Sequence, residues 1–248
     1  MVLELIIAAT VLVSLISLVG IALFFLGKKE MESAMFALVS FATGAILGAA
    51  FFDLLPESFT VAGPLLALKF VFAGLIAMFV MEKIIHLHHH HHVEHEGEHK
   101  HPLGMLTLIG DASHNFLDGV AISAAFMVNV PLGITTTIAV ICHEIPHEIG
   151  NFSLLLYSGY SRTNALLFNF MSALAAIVGG VAFFFFAGAM KDVESLALAF
   201  TAGTFIYIAC ADIFPELHKE VKLRNAVLQL VLILMGAAMI WAIMRFLE

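Results

Sequence analysis

Residues 143–150 read His-Glu-Ile-Pro-His-Glu-Ile-Gly, so two imidazoles and two carboxylates fall within six positions. On a helix, His143 and His147 stand four apart, as do Glu144 and Glu148. The two pairs therefore form neighbouring rows about 100° apart, and Asn151 continues the histidine row. H-E-x-x-H is also the zinc signature of helix-borne metalloproteases, in which both histidines hold one Zn²⁺ and the glutamate activates water. Here Pro146 interrupts the signature. Proline has no N–H and collides with the carbonyl four residues back, that of Cys142, so a kink and a released carbonyl able to face a cation are expected.

A second stretch, Asp-Ala-Ser-His-Asn-Phe-Leu-Asp-Gly at 111–119, supplies more donors. Asp111, His114, Asn115 and Asp118 follow i, i+3, i+4, i+7 spacing and share one helix stripe. The two stretches together offer imidazole nitrogen, carboxylate oxygen and amide oxygen. That mixture suits Zn²⁺, Fe²⁺, Mn²⁺ or Co²⁺, with room for two ions bridged by a carboxylate. A single buried histidine is commonly just a satisfied core residue, and a lone acid in an apolar helix commonly pairs with a lysine. Neither apolar segment that carries these residues contains a Lys or Arg. Ionisable groups inside a bilayer are expensive without partners, so a shared cation is the economical explanation for Asp111, Asp118, Glu144 and Glu148.

The elements that hold these residues must be membrane helices. Of the 248 residues 61% are hydrophobic and 12% charged, far from the roughly 45–50% and 25% of soluble domains. Eight apolar segments are expected to span a bilayer: 2–26, 34–52, 65–81, 103–128, 132–157, 165–190, 196–214 and 226–247. Alternating ten-residue segments of a β-barrel are absent, so the fold class is an all-α membrane protein in one domain, 1–248. The first segment carries Glu4 and no basic start, and reads as a retained helix rather than a signal peptide. With the N-terminus outside, eight Lys and Arg fall on inner connections and three on outer ones. This predicts both termini outside.

Residues 86–101 form a His-rich run after the third segment, predicted to be a disordered cytoplasmic loop. Metal capture and a plain solvated linker are both open readings of it. No basic patch points to nucleic acid, and the two cysteines, Cys142 and Cys210, sit in apolar runs without a disulfide framework. Asp53 and Asp212 head matching D-x-x-P-E sequences, at 53–57 and 212–216. They read equally as vestibule residues and as helix-end punctuation.

The pair "HNFLDG" and "HEIPHEIGN" resembles the ZIP (Zrt/Irt-like) family of divalent-metal transporters, and is similar to the subgroup with an H-E-x-P-H-E-x-G-D motif. Asn151 departs from it, standing where the subgroup has Asp. The resemblance implies one metal position at His114, Asp118, His143 and His147. It implies a neighbouring one at Asn115, Asp118 and Glu144, with Glu148 nearby and Asn169 a further contact. It also implies an elevator-like motion of helices one, four, five and six against two, three, seven and eight. A homodimer in the cell (plasma or inner) membrane and net movement of Zn²⁺, Fe²⁺, Mn²⁺, Cd²⁺ or Co²⁺ towards the cytoplasm complete the expectation, with no enzyme activity and no cofactor beyond the transported ion. The alternatives are an intramembrane zinc metalloprotease and a membrane metal sensor.

Overall fold

A computed structural model describes residues 1–24, 28–92, 101–188 and 193–247. Among these residues there is no strand, and the helices join into eight rods. These are α1 (2–24), α2 (28–62), α3 (Pro64–His92), α4 (His101–Val128), α5 (Val130–Tyr157), α6 (162–187), α7 (193–217) and α8 (Leu223–Leu247). Six described helices are long and apolar enough to cross a membrane. The two rods outside that set are α4 and α5, which carry the Asp, His and Glu residues singled out above.

The rods are not uniform, and the irregularities have local causes. α1 ends in a 3₁₀ stretch, Ser17–Phe24. Its hydroxyls fold back on carbonyls of the preceding turn, Thr10 on Ile6 (2.8 Å) and Ser14 on Thr10 (2.9 Å), so no polar group of these side chains is stranded in an apolar setting. Ser14 also reaches the Ala173 carbonyl of α6 (2.8 Å), tying the two rods. α2 and α7 each contain a six-residue π-helical stretch, Ala49–Leu54 and Ile208–Ile213. Both end two residues before a proline, Pro56 and Pro215. A wider turn makes room for a proline ring that would otherwise strike the carbonyl four residues earlier. The D-x-x-P-E sequences therefore do not stop their helices. α2 continues to Ala62 and α7 to Leu217, beyond the expected ends at 52 and 214.

The connections are short where turn chemistry is strong. Gly63 at φ 76° followed by Pro64 turns α2 into α3. Asn129 alone separates α4 from α5; it is extended and its side chain accepts from the Leu132 amide (2.8 Å), with Pro131 in the first turn. α5 runs unbroken as helix through Pro146. The α3 backbone stays helical to His92, inside the expected loop, while 93–100 lie outside the described residues.

Three rod pairs approach through reciprocal glycines. A Cβ on Gly44 would stand 1.8 Å from the Ile233 carbonyl oxygen, and one on Gly236 2.2 Å from that of Phe41, which fastens α2 to α8. Gly74 meets the Phe200 carbonyl (2.2 Å) and Gly203 that of Val71 (2.1 Å), fastening α3 to α7. Gly119 meets the Ala176 carbonyl (1.9 Å) and Gly179 that of Phe116 (2.1 Å), fastening α4 to α6. Small residues allow such backbone contact in membranes, where no hydrophobic force joins helices and packing must do it.

Candidate metal centre

α4 and α5 face one another, and their polar stripes meet. The Nε2 atoms of His114 and His143 are 3.2 Å apart. Asp118 Oδ2 lies 3.2 Å from Nε2 of His143 and 3.7 Å from that of His114. Glu144 Oε1 lies 3.4 Å from each. All four residues are buried, Glu144 completely. Zn–N and Zn–O bonds of about 2.0–2.2 Å put the corners of a tetrahedron roughly 3.3–3.6 Å apart. Five of the six separations bracket that range, and the sixth, between the Asp118 and Glu144 carboxylates, lies within 4.8 Å, so two nitrogens and two oxygens surround a space of the size such a cation fills.

The surroundings orient the donors. Nδ1 of His143 is 3.2 Å from the Ala139 carbonyl, which fixes the ring and turns Nε2 into the cluster. Asn115 spends its amide N–H on the Asp111 carbonyl and carboxylate (both 3.2 Å), so its oxygen is left over. Asn169 of α6 donates to Glu148, again leaving an amide oxygen. Among the described residues, Asn115 Oδ1, Asp118 Oδ2, both Glu144 oxygens, Glu148 Oε1 and Asn169 Oδ1 are buried without a hydrogen-bond donor. Every one is an acceptor. Buried polar atoms ordinarily have partners, and a cluster of acceptors lacking donors is what a cation satisfies.

The expected residues thus divide. His114, Asp118, His143 and Glu144 converge within 4.8 Å of one another. Asn115, Glu148 and Asn169 present oxygens nearby. His147 stands at the rim, half exposed, its ring stacked on His114 (4.8 Å) and its Nδ1 3.8 Å from Glu144. Asp111 is taken by donors instead. Asn115, Asn151 (2.7 Å) and the Ser172 hydroxyl, which lies very close, all give to its carboxylate. Asp53 is buried in the π stretch of α2, apart from the four-residue cluster, and the Asp212 side chain lies outside the described residues. Three contributors had no sequence signal strong enough to name. Ser172 sits one turn after Asn169, a spacing that could have flagged it. Phe205 of α7 packs edge-on against His143 (5.8 Å between centroids). Tyr207 donates to Glu82.

Two cavities reach the cluster. One of 210 Å³ is lined by Met35, His143, Pro146 and Ile213, the other of 220 Å³ by Glu82, Asp111, Asn151 and Tyr207. His114 and His147 line both. The H-E-x-x-H residues do not act as in a protease: only the first histidine is in the cluster, and the glutamate is itself a ligand candidate rather than a free base.

A family model described as ZIP zinc transporter matches residues 3–104 and 101–244, nearly the whole chain. The chain belongs to the ZIP zinc transporter family. Among ZIP relatives, it is 33% identical over 215 residues to zinc transporter ZIP13 of Pongo abelii, covering 80% of this chain and 63% of the relative. It is 41% identical over 134 residues to zinc transporter ZIP10 of Danio rerio (51% and 16%), and 44% over 117 residues to the metal cation symporter ZIP14 of Mus musculus (47% and 24%). The chain spans less than two thirds of the length of each.

Proposed function

We propose that this protein carries divalent metal ions, Zn²⁺ foremost, through a bilayer by way of the α4–α5 cluster. The carrying observation is that His114, Asp118, His143 and Glu144 converge, buried, with no Lys or Arg on either helix and with acceptor oxygens left over. Several adjacent donors suit an ion that binds and leaves better than one held in a fixed catalytic site. The relatives' names, zinc transporters and a metal cation symporter, agree with this reading. A second ion has a place beside the first, at Asn115, Asp118 and Glu144 with Glu148 and Asn169.

In the same proposal all eight rods span the membrane with both termini outside, and the protein works as a homodimer in the cell membrane. Both cavities are lined by residues next to the connections that hold most of the Lys and Arg. By the positive-inside rule that side is cytoplasmic, so the conformer described is inward-facing and release is towards the cytoplasm. An elevator-like motion finds support in the glycine contacts. Each close approach of glycine to backbone joins rods within α1, α4, α5 and α6 or within α2, α3, α7 and α8. Two rigid blocks with ordinary side-chain packing between them can slide.

The test is metal flux into proteoliposomes, comparing Zn²⁺, Fe²⁺, Mn²⁺, Co²⁺ and Cd²⁺. Wild-type protein is expected to carry Zn²⁺, and His143→Ala or Asp118→Ala to carry none while still inserting. Equal flux in wild type and both variants rejects the assignment.

A further inference from the structure

Asn151 stands where the resembled subgroup has a carboxylate, and the structure gives that difference a physical meaning. Its side-chain N–H lies 2.7 Å from Asp111 Oδ1, reaching from α5 to α4. Asn115 gives a second N–H to the same oxygen, and Ser172 of α6 gives its hydroxyl to Oδ2. Three donors from three rods therefore occupy a carboxylate that lies 3.6 Å from Nδ1 of His147 at the rim. Asn151 itself is 3.4 Å from that nitrogen. Asp111 and Asn151 both line the 220 Å³ cavity that leads to His114 and His147.

We propose that Asn151 is a specificity-determining residue: its amide withdraws Asp111 from the ion's path, so the cavity side of the site offers imidazole rather than carboxylate. This rests on the transport reading above. With a carboxylate at 151, two acids would face each other without the Asn151 donor. Like charges at this range repel unless a cation stands between them. The cavity side would then bind through oxygen, which favours hard ions such as Mn²⁺, whereas imidazole favours Zn²⁺. Asn151 and Ser172 are positioning residues in this scheme and need not touch the ion.

The experiment compares wild type, Asn151→Asp and Ser172→Ala by equilibrium dialysis of Mn²⁺ against Zn²⁺ on detergent-solubilised full chain, and by competing flux in proteoliposomes. Asn151→Asp is expected to raise the Mn²⁺:Zn²⁺ ratio about tenfold, equivalent to about 1.4 kcal/mol of discrimination. Ser172→Ala, which frees one Asp111 oxygen, is expected to raise it about threefold. A residue that only props the helices would lower both ions in proportion. A ratio within twofold of wild type in both variants overturns the inference. If Asn151→Asp does not fold, Ser172→Ala alone decides, on the same ratio. Wild type that binds both ions but moves neither would sink the transport reading and leave the binding ratio to judge this one.

Discussion

The block of α1, α4, α5 and α6 and the block of α2, α3, α7 and α8 are assembled alike but loaded differently. Both use reciprocal glycines to bring backbones together, Gly119 and Gly179 in the first, Gly44 with Gly236 and Gly74 with Gly203 in the second. Yet the first contains Asp111, His114, Asp118, His143, Glu144 and Glu148, all buried, while the second faces them with Phe205, Met35, Val39 and Ile208. One block holds the candidate ligands; the other lays a wall of apolar residues along the 210 Å³ cavity and Glu82 and Tyr207 along the 220 Å³ one. In the proposed elevator motion an ion bound wholly by one block would travel with it, because no ligand would have to be broken as that block slid past the other.

The sharpest way to break this contrast is to remove a ligand from the loaded block. His143→Ala and Asp118→Ala should each lower Zn²⁺ uptake by a hundredfold or more, read as initial rate in proteoliposomes at equal protein. Next is the packing that makes each block rigid. A Cβ at Gly119 meets a carbonyl at 1.9 Å and one at Gly44 at 1.8 Å. Overpacking of this kind costs about 3 kcal/mol or more against backbone. Gly119→Val and Gly44→Val should therefore both lose the folded peak on size exclusion. Damage from one and not the other would show that only one block is rigid.

The wall is tested more gently. Phe205→Ala removes the ring against His143 and should lower thermal stability by about 3 kcal/mol, with uptake reduced but not abolished. Acid should act on the loaded block. Protons compete with the ion for imidazole and carboxylate, so lowering the pH from about 7.5 to 5.5 should weaken Zn²⁺ binding progressively, measured by equilibrium dialysis. The smallest effect is expected inside the wall block. Tyr207→Phe removes the donor to Glu82, worth about 1.5–3 kcal/mol of stability for a bond to a charged group, and should change uptake less than about threefold.

Much of this was legible in the residues. The i, i+3, i+4, i+7 stripe of Asp111 to Asp118 and the paired rows of His143 to Asn151 predict a shared site between α4 and α5, because helical periodicity alone decides which side chains share a face. The π stretches were not legible. D-x-x-P-E reads as a helix end when proline is judged by its clash alone, and a widened turn that absorbs the ring leaves no mark in composition. The standing of Asp111 was hidden for a similar reason. Its stripe is identical to that of His114, and only Ser172 and Asn151, contributed by other rods, make it a hydrogen-bond hub.

The sequence by itself determined the solvent, the helical class and the set of donors from which a metal centre could be drawn, since bilayer energetics and the 3.6-residue turn act within single segments. Which four of those donors meet, that His147 is left at the rim, and which rods close on one another through paired glycines were decided only by tertiary structure. Those outcomes depend on distances between rods, set by side chains far apart in the chain whose proximity no local rule encodes.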